Sequence, residues 1–147
     1  MKPNEDDRDG GFGPTDRALR ILFAEDTPAG QTVGLRLFQA QGYRVFLAAN
    51  GREAIEIFDR EPVDLVVMDL HMPEMDGWQA VREIRRRERD RRRVPIVAVS
   101  AYSHPTDPEW FHAAGINAFV AKPIDKARLL QTIAELCWQE ESPRASE

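Results

Sequence analysis

The chain has 147 residues, 42% hydrophobic and 31% charged, with 20 Lys and Arg against 25 Asp and Glu for a net charge of −5. This is the size and balance of one globular domain able to bury about 68–70% of its unfolded surface, which excludes a disordered or fibrous chain. The longest apolar stretch, near 63–68, is far too short to cross a bilayer, and no signal-peptide pattern is visible, so no membrane association is expected. A lone cysteine, Cys137, cannot form an internal disulfide and points to a reducing, cytoplasmic setting. The acidic balance argues against nucleic acid as a direct partner.

Residues 1–16 (MKPNEDDRDGGFGPTD) hold only Met1 and Phe12 as apolar side chains. Such a stretch buries too little to offset its ordering entropy and predicts a flexible leader. Residues 140–147 (EESPRASE) predict a disordered tail by the same reasoning, leaving one structured domain over 17–139. Inside it, short runs rich in β-branched residues predict strands at 19–24, 44–47, 63–68, 94–99 and 118–121. The third and fourth are almost continuously apolar, as central parallel strands covered on both faces are.

Helical periodicity fills the gaps. Val33, Leu35, Leu37 and Phe38 lie on a helix over 28–40 that ends at Gly42. Asn50 caps a helix carrying Ala54, Ile55 and Phe58, with Glu53 at the capping-box position. Trp78, Val81 and Ile84 step at helical spacing after Gly77, and Phe111 and Ala114 mark a short helix stopping at Gly115. Asp125 caps a last helix with Leu129, Leu130, Ile133 and Leu136 on one stripe. Strand and helix alternate five times, and right-handed crossovers turn that order into a doubly wound parallel α/β sheet with helices on both faces.

Ligands of such sheets bind beyond the carboxyl ends of the strands, where the strand order switches. The first run is followed by Glu25 and Asp26, and the third ends in Asp69; Ser100 follows the fourth and Lys122 the fifth. Any one of these is an ordinary turn former, but five at one edge are not. Clustered carboxylates repel unless a cation joins them, and Mg²⁺ is held by one or two carboxylates together with phosphate oxygens. Asp69 is then a nucleophile able to form an acyl phosphate, Lys122 a counter-charge and Ser100 a hydrogen-bond donor to a phosphoryl group.

The pieces ILFAEDTPAGQ, VDLVVMDLHMPEMDGW, VPIVAVSAY and AGINAFVAKPID resemble the receiver domain of two-component response regulators and hybrid histidine kinases, over residues 20–136. The resemblance implies a flavodoxin-like five-stranded sheet of order 2-1-3-4-5 and a receiver domain over 17–139. It implies Asp69 as phosphoacceptor, and Glu25, Asp26, Asp69 and the His71 carbonyl as Mg²⁺ ligands. Lys122 matches the lysine of the family; Ser100 and Phe119 match its switch pair. The donor would be a histidine kinase or a histidine phosphotransfer protein, and phosphorylation would alter binding of an unknown output partner. The domain would be no enzyme beyond its own phosphorylation and dephosphorylation. A homodimer stays open, as does the choice between a stand-alone regulator and part of a hybrid kinase.

Pro105 and Pro108 predict a fourth helix, between the fourth and fifth strands, that is short or starts late. Residues 81–93 (VREIRRRERDRRR) carry eight Arg against three acids. They read as a solvated helix end whose cations suit the dipole, with an acidic partner as the other reading. His71, His104 and His112 form no zinc spacing with Cys137. Trp78, Trp110 and Trp138 read as packing residues. A flavin domain of the same fold would need a phosphate-welcoming loop where Glu25 and Asp26 stand, and a haloacid-dehalogenase-type phosphatase a second acid where His71 stands. A phosphorylation-independent docking module is the remaining alternative.

Overall fold

A computed structural model describes residues 18–72, 75–88, 93–101 and 112–137. Five strands form one parallel sheet: β1 (Arg20–Ala24), β2 (Arg44–Ala48), β3 (Leu65–Asp69), β4 (Ile96–Ser100) and β5 (Ala118–Ala121). Their order is β2-β1-β3-β4-β5, every neighbouring pair parallel. The described helices are α1 (Pro28–Ala40), α2 (Gly51–Arg60), α3 (Gly77–Glu88) and α4 (Lys126–Cys137). The flavodoxin-like architecture expected from the sequence is present. The leader, the tail, Pro105, Pro108 and Phe111 of the predicted short helix, His104, Trp110, Trp138 and the outer limits of the 17–139 domain lie outside the described residues.

Strand alternation sorts the core into two layers. Leu22, Val66, Met68, Ile96 and Ala98 pack with α2 and α3 through Ile55, Phe58, Val81 and Ile84. Ile21, Phe23, Leu65, Val67, Val97 and Val120 pack with α1 and α4 through Phe38, Leu129 and Ile133. β3 and β4 are buried at every position because helices cover both sides. Close approach needs glycine at several helix positions, Gly34 and Gly77 among them. A methyl group on Gly34 would overlap the Phe23 ring, and one on Gly77 would overlap the Asp69 carbonyl oxygen.

Several boundaries differ from the sequence expectation. Val63 and Asp64 precede β3: the Asp64 N–H still reaches the Arg20 carbonyl at 2.8 Å, but it is the Asp64 carboxylate that takes the Arg20 backbone N–H at 2.9 Å, and it takes the Arg20 guanidinium at 3.0 Å as well. Val94 and Pro95 precede β4, Pro95 having no N–H to give. At the other end the ladder reaches Asp69 and Ser100, placing both inside strands. Asn50 Oδ1 caps α2 by accepting the Glu53 N–H at 2.8 Å, but Glu53 answers the Ala49 N–H, one residue before the capping-box partner.

The arginine run is only partly a solvated end. Arg85 joins α3 to the chain entering β4 and β5, donating to the Glu88 carboxylate at 2.8 Å, the Val94 carbonyl at 2.8 Å, the Gly115 carbonyl at 2.8 Å and Asn117 Oδ1 at 3.0 Å. Glu88 is buried and also accepts the Val94 N–H. Arg86 and Arg87 share Glu83, and Arg87 also reaches Asp59.

Candidate functional site

The strand order reverses between β1 and β3, so the chain leaving β1 and the end of β3 flank the crevice. Backbone bonds carry the ladder past the strand ends and fix the first residue beyond each. The Glu25 N–H donates to the Ala48 carbonyl at 2.9 Å, Leu70 N–H to Val99 at 3.0 Å and Lys122 N–H to Ser100 at 2.8 Å. Asp26, Thr27, Asp69, His71, Ala101 and Lys122 line a cavity of about 320 Å³ there.

Asp69 and Glu25 are both buried, and one ammonium serves both. Lys122 Nζ lies 2.9 Å from Asp69 Oδ2 and 3.2 Å from Glu25 Oε1. The His71 N–H donates to Asp69 Oδ1 at 3.0 Å. Burial pushes the Asp69 carboxyl up, and the Glu25 charge adds to it; the His71 N–H and Lys122 offset only part, so the net shift is upward. Burial pushes Glu25 up as well, but the Thr27 hydrogen bonds and Lys122 outweigh it and hold Glu25 below the usual range. Burial lowers Lys122, and its two carboxylates more than reverse that, leaving it raised.

Carboxylate oxygens of Glu25, half-buried Asp26 and Asp69 lie within 4.8 Å of one another. Ligand oxygens around one Mg²⁺ stand about 3–4 Å apart, given its bond lengths of about 2.1 Å. These hard donors are therefore nearly in place. Three carboxylates and one ammonium leave a formal charge of −2, which such an ion neutralises. The chemistry of the donor set fits magnesium.

The structure thus brings Glu25, Asp26, Asp69, His71 and Lys122 together. Ser100 is buried at the end of β4, paired in register with Ala121 beside Lys122. Phe119 lies on β5 opposite Ala98 and packs, half-buried, against the core on the α2–α3 side. Two further residues hold Glu25 in place. Thr27 caps α1, accepting the Gly30 N–H, while its own N–H and Oγ1 donate to Glu25 Oε2 at 3.0 and 2.7 Å. Gln31 Nε2 donates to the Glu25 carbonyl at 2.8 Å. A Thr-Pro pair opening a helix signals the cap, but its bond back to Glu25 has no sequence signature.

Residues 21–134 match the response regulator receiver domain family. The chain belongs to that family. This receiver is 40% identical to the receiver domain of a sensor histidine kinase from Pseudomonas aeruginosa, solved with magnesium coordinated in its active-site cleft. The match covers 82% of this chain and 97% of that one, with a TM-score of 0.71. It is 26% identical to the receiver domain of yeast Ssk1, solved in complex with the histidine phosphotransfer protein Ypd1, over 84% and 92% of the two chains with a TM-score of 0.77. It is 34% identical to the sensor histidine kinase GacS of Pseudomonas protegens over 89% of this chain. The first curated relatives are much longer, and this receiver spans only 15–17% of their length. No helix among the described residues is long and apolar enough to cross a membrane.

Proposed function

We propose that this receiver takes a phosphoryl group onto Asp69 from the phosphohistidine of a histidine kinase or histidine phosphotransfer protein. The observation carrying the proposal is the buried Asp69 carboxylate at a strand end, 2.9 Å from Lys122 and grouped with Glu25 and Asp26. An Asp69 oxygen attacks phosphorus, the phosphorus–nitrogen bond breaks, and its electron pair stays on the donor imidazole. Lys122 passes from the Asp69 carboxylate to a phosphoryl oxygen, a short step for a flexible point charge. Glu25, Asp26, Asp69 and the His71 carbonyl would hold magnesium, which would neutralise charge that otherwise keeps an anionic donor away. Burial keeps bulk water from Asp69 and strengthens every charge contact at the edge.

Ser100 donates to the phosphoryl group, and Phe119, the second residue of β5, changes its packing in response. The surface around β5 and the helices beside it then shifts toward a form that an output partner binds. The receiver catalyses only its own phosphorylation and the later hydrolysis of the acyl phosphate. Intact-protein mass after incubation with acetyl phosphate tests the reading. One phosphoryl adduct is expected, dependent on Mg²⁺ and absent in Asp69→Asn; an adduct persisting in that variant overturns the assignment.

A further inference from the structure

A second concavity has the opposite chemistry. It encloses about 660 Å³ between α3 and the turn at residues 112–115, and shares no described lining residue with the carboxylate cavity. Arg82, Arg85, Arg86 and Arg93 line it, with Glu83 as the one acid among the described lining residues. None of these arginines lines the carboxylate cavity, and among the described residues packing accounts for only some of them.

Two of the four guanidiniums are already matched. Arg85 is committed to Glu88 and to the oxygens of Val94, Gly115 and Asn117. Glu83 is committed too: it accepts from Arg86 at 2.9 Å and from Arg87 at 3.1 Å. Those hydrogen bonds and charges, Arg86 foremost, hold its carboxyl below the usual range. Arg82 and Arg93 are exposed and have no carboxylate partner among the described residues. Arg93 also stands near enough to Arg85 to repel it: burial lowers the Arg85 guanidinium first, and the Arg93 charge adds to that. Like charges are thus held together around a hollow, in a chain whose net charge is −5.

We propose that this groove binds a phosphorylated ligand of nucleotide size, with phosphate on Arg82 and Arg93 and a planar ring against Met75, Ala113 and Ala114. The guanidinium fork matches phosphate oxygens in pairs, which suits Arg where Lys would give only a point charge. The volume falls in the range of about 300–1,000 Å³ typical of small-ligand sites. One wall is apolar, from Met75 and the two alanines, so a ring has a surface to lie on. A polymer fits less well: a nucleic acid running beyond the groove would meet an acidic protein, whereas a small ligand stays within the local positive field.

The test uses the full chain, isotope-labelled, in EDTA at low salt, so that nothing is bridged to the carboxylate edge by metal. ADP and GDP are titrated and amide shifts followed. Saturable shifts are expected at Gln79, Arg82, Arg93 and residues 113–115, falling off with added salt. The Arg82→Gln/Arg93→Gln double variant should bind at least tenfold more weakly while keeping its melting temperature and its phosphorylation by acetyl phosphate. Asp69→Asn should bind as the wild type does, so failure here and failure of the phosphoacceptor reading are told apart. The proposal is overturned by no saturable shift at millimolar nucleotide, by equal affinity in the double variant, or by shifts centred on Asp26, Asp69 and Lys122. Inorganic pyrophosphate binding as tightly as ADP would remove the nucleotide from the proposal. Capture of a Glu-rich peptide in place of either nucleotide would replace it with a protein partner.

Discussion

Glu25 and Asp69 are two buried carboxylates sharing Lys122, yet their proton affinities move in opposite directions. The difference is Thr27, which gives Glu25 two hydrogen bonds at one oxygen while Asp69 receives one from His71. Thr27→Val removes the hydroxyl that serves both as cap and as donor. A loss of about 1–2 kcal/mol is expected in urea unfolding, with weaker Mg²⁺ binding by titration. The opposite shifts also fix two pH dependences. A cation must displace any proton on Asp69, so Mg²⁺ affinity should rise with pH through a range above the ordinary aspartate value, and this rise should vanish in Asp69→Asn. Glu25 is lowered on folding, so its stabilising contribution is complete above the unfolded glutamate value and is lost as pH falls through the lower folded one. The stability gap between the wild type and Glu25→Gln should therefore hold steady near neutrality and close only in acid.

Among the elements, α3 does two jobs with its two ends. Its first residue, Gly77, lies against the Asp69 carbonyl and donates its N–H to Leu70 at 3.1 Å, setting the helix close to the end of β3. Its last turn ties the chain entering β4 to the chain entering β5 through Arg85 and Glu88. Arg85→Met leaves Glu88 buried without its cation and three carbonyl oxygens short of a donor, so a cost of about 3–5 kcal/mol is expected in chemical denaturation. Arg86→Ala removes only an ion pair to Glu83 on the solvent face and should leave the denaturation midpoint almost unchanged, since exposed ion pairs contribute little. Equal costs for the two would show that the buried network is not what holds this corner. Composition made these arginines look alike; burial separates them.

For the molecule as a whole, the topology and the site are one arrangement. Crossing from β1 to β3 puts Glu25, Asp26 and Asp69 on either side of the switch, and the parallel ladder holds them there before any ligand arrives. The folded state therefore carries a repulsion that the unfolded chain lacks. Mg²⁺ should stabilise the receiver by about 2.7 kcal/mol at a hundred times its dissociation constant, read as a rise in melting temperature. Asp26→Asn should lose most of that rise. A variant that kept it would place the ion elsewhere.

The sequence by itself determined the order of elements, the two apolar layers and which residues stand at the strand ends. These rest on local periodicity and on the handedness of crossovers, both written in neighbouring residues. It also carried the family, through short segments whose spacing is set by the strands that bear them. The tertiary structure alone decided that Thr27 turns back onto Glu25, that the Asp64 carboxylate meets Arg20, and that Arg85 is half-buried while Arg82 and Arg93 are exposed. Each of these is a contact between residues whose types permit many partners. Only the packed fold, by choosing which groups lose water, selects one.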